Sequence, residues 1–196
     1  MFFNKIKNII KSMIRRFFLN YLYKKYVYKN QLIIDDVEQN FTVRSTKLKY
    51  NTKKKFYHLM LYYPEFAFVF FWRTKNYFWL WKILFQKEFY CKIFSSSKIE
   101  GGLVPYHPFA TVINAKRIGK NFTFRNGLTV GNKNNDNRLL PTIGNNVEVG
   151  ANVVIIGDIE IGDNVVIGAG SVVVKSIPSN SIVAGNPAKI IKQLNL

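Results

Sequence analysis

From Val112 onward, apolar residues recur every six positions: Val112, Ile118, Phe124 and Val130, then, after a break, Ile143, Val149, Ile155, Ile161, Ile167 and Val173. Glycine follows six of them, at Gly119, Gly131, Gly144, Gly150, Gly162 and Gly168. A second apolar series stands four places after seven of them, at Phe122, Leu128, Val147, Val153, Ile159, Val165 and Ile177. An α-helix does not hold a six-residue period, because its faces return every 3.6 residues. An antiparallel sheet with turns would space its strands irregularly. The period predicts short strands, each sending one mostly β-branched residue inward, joined by tight corners where glycine takes a positive φ. Three such faces make a coil, and stacked coils bury a continuous apolar column while their backbones pair from coil to coil. The register breaks once, at the insertion Asp136 to Thr142. A loop extruded from a regular wall is a candidate functional loop.

Before residue 98 the pattern is different. From Phe2 to Leu19, apolar residues such as Ile6, Ile9, Ile10, Met13 and Phe17 return at helical spacing between Lys5, Lys7, Lys11, Arg15 and Arg16. This basic amphipathic helix reads either as a packing helix with a solvated cationic face or, over residues 1–19, as a contact with an anionic membrane surface. Residues 31–55 show no sustained period and are predicted to be irregular. Residues 56–92 are rich in Phe, Tyr and Trp, and Pro64 and Lys75-Asn76 break them into short helices. Their apolar residues lie on nearly every side, so these helices are expected to be covered by another surface.

Composition sharpens this division. Residues 1–100 hold 20 Lys/Arg against 6 Asp/Glu, a net of +14, and residues 101–196 hold 9 against 5, a net of +4. All 12 glycines lie from Gly101 onward. We therefore expect a basic, aromatic-rich helical region at 1–97, a repeat domain at 98–188 and a tail at 189–196. No helix-turn-helix, RNA-recognition or zinc pattern accompanies the charge, so no nucleic-acid partner is expected. The single Cys91 and the lack of a signal-peptide pattern point to the cytoplasm. The apolar run Phe66–Trp72, closed by Glu65 and Arg73, is much shorter than the roughly 20 residues of a spanning helix. With two histidines, His58 and His107, and no Cys/His/Asp cluster at ligand spacing, no metal site is expected.

Ile118-Gly119-Lys120, Ile143-Gly144-Asn145-Asn146-Val147, the run Ile161 to Val173 and the closing Ala184-Gly185-Asn186-Pro187-Ala188-Lys189 resemble the hexapeptide-repeat acyltransferases. Within that family the likeness is to serine acetyltransferases and their relatives in surface-polysaccharide gene sets. It covers about residues 90–192 and implies an all-β, left-handed parallel β-helix behind an α-helical N-terminal region. It also implies homotrimers, leaving open whether these pair into hexamers, with acetyl-CoA in the groove between subunits. His107, in Tyr106-His107-Pro108, matches the catalytic histidine. A hydroxyl attacks a thioester poorly unless a base removes its proton, and imidazole has suitable basicity. The resemblance further assigns the small corner residues Gly150, Ala151, Gly168 and Ala169 to the pantetheine arm. Lys175, Lys189 and Lys192 are assigned to the cofactor phosphates, and Tyr106, Arg138, Leu139 and Leu140 to the acceptor side.

Three departures separate this chain from the serine enzymes. Tyr106 stands where they carry Asp, Lys92 stands where an Asp orients the imidazole, and Leu139-Leu140-Pro141 replaces an Arg-His pair before Pro. The charged partners of free serine are thus missing. The expected reaction is acetyl transfer to a hydroxyl of a surface-glycan sugar or its precursor. Serine O-acetylation, and a non-catalytic trimeric scaffold that binds a membrane or polyanion, are the alternatives.

Overall fold

Three parallel walls stack the hexads into a solenoid. Wall A holds β1 (Cys91–Ile93), β4 (Thr111–Ile113), β7 (Thr129–Gly131), β10 (Val154–Ile156) and β13 (Val172–Val173). Wall B holds β2 (Lys98–Ile99), β5 (Arg117–Ile118), β8 (Thr142–Ile143) and β11 (Glu160–Ile161). Wall C holds β3 (Val104–Tyr106), β6 (Thr123–Arg125), β9 (Glu148–Val149), β12 (Val166–Ile167) and β14 (Ser181–Ala184), and an antiparallel β15 (Lys189–Gln193) closes it. The computed structural model describes residues 13–44, 48–76, 84–85 and 89–195. The chain divides into two units, Met1–Lys87 and Glu88–Leu196.

The hexad register is the inward register. Ile118, Ile143 and Ile161 stack in one column of wall B, and Phe124, Val149 and Ile167 in one column of wall C, all essentially free of solvent. Burying each such side chain contributes about 1.5–3 kcal/mol. The first hexad departs from the period. Val112 is 39% exposed and Ile113, fully buried, takes the inward place, because Ile113 pairs with Val130 one residue out of the six-residue step. In the second series Ile159 is only half-buried, and the other members are buried.

The corners differ from expectation. Gly119, Gly144, Gly150 and Gly162 do not take a positive φ; each is required because the next coil passes too close. A Cβ on Gly144 would stand 2.4 Å from Asp163 Oδ1 and 2.8 Å from the Gly162 carbonyl carbon, and one on Gly150 would stand 2.5 Å from the Ala169 nitrogen. The left-handed corner residues are mainly asparagines: Asn121, Asn146, Asn152, Asn164 and Asn180 have φ of 54–60°. Asparagine tolerates this region because its short amide bonds locally. At the B–C corner these amides form a ladder, Asn121 to Asn146 at 2.9 Å, Asn146 to Asn164 at 2.9 Å and Asn164 to Asn180 at 2.8 Å.

β1 and β2 already belong to the solenoid, although glycine appears only after them. The corner between them is built by Ser95-Ser96-Ser97, and Ser97 Oγ accepts the buried amide of Ala115 at 3.0 Å.

In the helical unit, α1 runs from residue 13 to 22 and continues as a π-helical turn, Tyr23–Val27; α2 is Gln31–Val43, α3 Thr52–Tyr62 and α4 Pro64–Thr74. Of the predicted helix at 2–19, residues 1–12 lie outside the described residues. Leu19 and Leu22 enter the core, whereas Met13 and Phe17 are exposed. Residues 31–43 are a helix rather than irregular. Asn30 caps it by accepting from Ile33 N, and Ile33, Val37 and Phe41 recur every four residues on its buried face. The period is hidden in the sequence because Asp36 and Asn40 share that face. Asp36 is admitted by Arg73, whose Nε donates to it at 2.9 Å, and both side chains are buried. Pro64 opens α4 at its first turn, where its missing N–H costs nothing, and Lys75 ends it in the left-handed region at φ 50°.

Candidate functional site

His107 leaves the solenoid at the corner between walls C and A. The equivalent corner of the next coil runs from Arg125 to the inward Val130, and that of the first coil runs from Tyr106 to Ile113, two residues longer. His107 and Pro108 are the surplus. The Phe109 N–H donates to the His107 carbonyl at 2.7 Å, closing a three-residue turn around Pro108, and His107 has φ 48°. A non-glycine residue with positive φ is uncommon, and it holds the imidazole outward, exposed to solvent. No described residue hydrogen-bonds that ring.

Beyond this bulge the corner is regular. The Gly127 amide donates to the Phe109 carbonyl at 2.8 Å, Asn152 to Asn126 at 2.9 Å and Gly170 to Ala151 at 2.8 Å. These bonds set Phe109, Asn126, Ala151 and Ala169 in one column along the C–A edge. The neighbouring column reads Tyr106, Arg125, Gly150, Gly168. The edge is therefore bulky at the histidine end and nearly bare of side chains two coils further on. A Cβ on Gly170 would meet nothing within 4 Å. Arg125 was not singled out by the sequence, yet its guanidinium lies 5.0 Å from the Tyr106 ring centre and covers one face of it. The signal was available: Arg125 occupies the place after the register residue where six hexads carry glycine.

The insertion loop leaves from a different edge, the A–B corner. Arg138 forms a two-pronged ion pair with Asp136, Nη2 to Oδ2 at 2.7 Å and Nε to Oδ1 at 3.0 Å, which holds the Asp136 carboxyl below its ordinary range. Leu140 is buried. Leu139 instead lines a cleft of about 530 Å³ with Lys133, Ile156, Asp158, Ile159 and Val174. Lys133 and Asp158 are further residues that the sequence did not single out, because nothing in the chain says that coils three and four meet there.

The three lysines separate. Lys175 is exposed on the A–B corner of the last coil, and Lys189 and Lys192 are exposed on β15 along wall C. Lys92, the departure at the expected Asp position, points from wall A with its ammonium 4.6 Å from the Phe94 ring centre. His58 belongs to α3, where Phe41, Tyr50, Tyr62 and Tyr63 surround it with ring centres 4.9–6.1 Å away. No three His, Cys, Asp or Glu side chains converge among the described residues.

Residues 141–175 match the bacterial transferase hexapeptide family, described by six repeats. A protein of Escherichia coli (strain K12), provisionally named colanic acid biosynthesis acetyltransferase WcaB, is 42% identical over 142 residues, covering 67% of this chain and 88% of that protein. Serine acetyltransferase 2 of Arabidopsis thaliana is 38% identical over 103 residues, 51% of this chain and 32% of its own. Among solved structures, serine acetyltransferase from Neisseria gonorrhoeae superposes with a TM-score of 0.64 at 23% identity, over 90% of this chain and 71% of that one.

Proposed function

The chain belongs to the hexapeptide-repeat transferase family, and on that premise we propose that it moves an acetyl group from acetyl-CoA to a sugar hydroxyl of a surface polysaccharide or its precursor. The observation that carries this reading is the C–A edge. A single solvent-facing imidazole is raised on a strained turn, at the head of a corner whose side chains shrink to glycine and alanine. Such a strip leaves room for an extended thioester arm to lie against the wall, and the relative named for colanic acid biosynthesis supports a glycan acceptor.

In the proposed step His107 accepts the proton of the acceptor hydroxyl as its oxygen bonds to the thioester carbonyl carbon. The tetrahedral intermediate then collapses, the C–S bond breaks and the imidazolium returns the proton to the departing CoA sulfur. The exposed ring has no fixed partner among the described residues, so substrate or a neighbouring copy orients it. Tyr106, Leu139 and Arg138 are the acceptor-side residues in this reading, with Leu140 packed beneath. Lys175, Lys189 and Lys192 are candidates for the cofactor phosphates. We read the assembly as a homotrimer. On one chain His107 and the small corner residues lie on the C–A edge and the insertion loop on the A–B edge, so a site that uses both draws on two copies. The lone Cys91 supports a cytoplasmic site of action.

A competition assay tests the acceptor, with limiting labelled acetyl-CoA and both L-serine and sugar acceptors present. Tyr106 offers the ring face that Arg125 leaves open and Leu139 apolar bulk, while Arg138 is already paired with Asp136, so a zwitterion lacks free partners for both its charges. We expect kcat/KM for serine to lie at least about a hundredfold below that of the best sugar, or roughly 2.7 kcal/mol. Preferential formation of O-acetylserine overturns the glycan reading. Absence of acceptor-dependent CoA release leaves the scaffold reading standing.

A further inference from the structure

A second cleft, of about 590 Å³, opens in the helical unit where α1 meets the first turn of α3. Three of its side chains are cations, Arg16, Lys53 and Lys54, and none of the described residues that line it is acidic. Lys53 is engaged: its Nζ donates to Asn20 Oδ1 at 2.9 Å and lies over the rings of Tyr23 and Tyr57. Arg16 and Lys54 are exposed and have no such partner among the described residues.

The end of α3 adds to this. Asn51 caps it, accepting from Lys54 N at 3.0 Å, and Lys53, Lys54 and Lys55 follow with no acidic residue in the first turn. A helix N-terminus carries partial positive charge and favours acidic side chains, so three lysines there oppose the dipole. Lys55 is compensated by Glu38. Glu38 also accepts from the Thr52 hydroxyl at 2.8 Å, whereas no described residue lining the cleft carries a carboxylate. The rest of the lining is mostly aromatic, from Tyr50, Tyr57, Tyr62 and His58, with Asn51 and Leu61. Burial holds His58 below the usual imidazole value.

We propose that this cleft binds a phosphate-bearing ligand, with its anionic group on Arg16 and Lys54 and its organic part against the tyrosine rings. A phosphate suits the site better than a carboxylate, because two cations with no carboxylate among the described lining residues match a double negative charge. The same chemistry comes from a soluble diphosphate or from the headgroup of an anionic lipid.

The test uses the full-length chain and measures binding alone, so its result does not depend on acetyl transfer. One arm titrates inorganic pyrophosphate by calorimetry. The other measures co-flotation with phosphatidylcholine vesicles with and without phosphatidic acid. The Arg16→Gln/Lys54→Gln double variant is compared with a Lys98→Gln/Lys116→Gln control on exposed solenoid positions, and circular dichroism verifies that both are folded. We expect wild type to bind in at least one arm, the double variant to bind about tenfold or more weakly there, and the control to match wild type. Binding of pyrophosphate identifies a soluble source, and binding only to phosphatidic acid vesicles identifies a headgroup. Wild type that binds neither probe, or a double variant that binds as wild type does, overturns the proposal.

Discussion

The Phe109 N–H bonds to the His107 carbonyl 2.7 Å away, and this one contact closes the two-residue surplus that lifts the histidine out of a regular corner. The turn is built from backbone and Pro108, so it does not need the imidazole. His107→Asn should therefore keep the fold, since asparagine accepts a positive φ, and should lower acetyl transfer by about two to four orders of magnitude. Steady-state CoA release beside a far-ultraviolet spectrum measures both. Activity near wild type removes His107 from the mechanism.

Ala169 stands exposed on the C–A edge in line with Ala151. Ala169→Trp should leave the solenoid folded, because its side chain points away from the core, and should weaken CoA binding by obstruction. Calorimetric titration with CoA checks this. Unchanged affinity in a folded variant moves the cofactor to another edge.

The asparagine ladder makes a prediction about stability that separates backbone from side chain. Asn146→Ala loses two amide bonds and, with them, the amide that lets a residue with a Cβ hold the left-handed region, at a combined cost of about 2–4 kcal/mol. Asn146→Gly loses the bonds but not the backbone fit and should cost clearly less. Denaturant unfolding of the two variants gives the difference, and equal losses would mean that the ladder, not the φ, carries the corner.

Burial pushes the Cys91 thiol up to about 12. In the unfolded chain it ionises near the usual value of about 8.5, so the unfolded state loses its proton first. The stabilisation is therefore fully present below that value and is lost as pH rises from there toward 12. Because the thiolate is the reactive form, a thiol reagent at pH 8 should label the native protein very slowly and one cysteine promptly in guanidinium. Prompt labelling of the native protein contradicts this.

The sequence by itself determined the features that repeat or interrupt within a few residues. The six-residue spacing of Ile118, Phe124 and their successors names the buried columns because each strand is too short to bury more than one residue inward. The surplus at 136–142, the break at Pro64 and the stop at Lys75 were legible for the same local reason. Tertiary structure alone decided what depends on distant neighbours. The α2 helix was hidden because Asp36 lies on its buried face, where Arg73, 37 residues away, pairs with it. Gly119, Gly144, Gly150 and Gly162 are there because the next coil passes within contact of where a Cβ would stand, a distance the chain does not record. Val112 yields its inward place to Ile113 because pairing with β7 sets that register. The candidate site divides in the same way. Its residue types could be read from the chain, whereas the edge each occupies follows from how many residues every corner takes to turn, and that is fixed only when the coils stack.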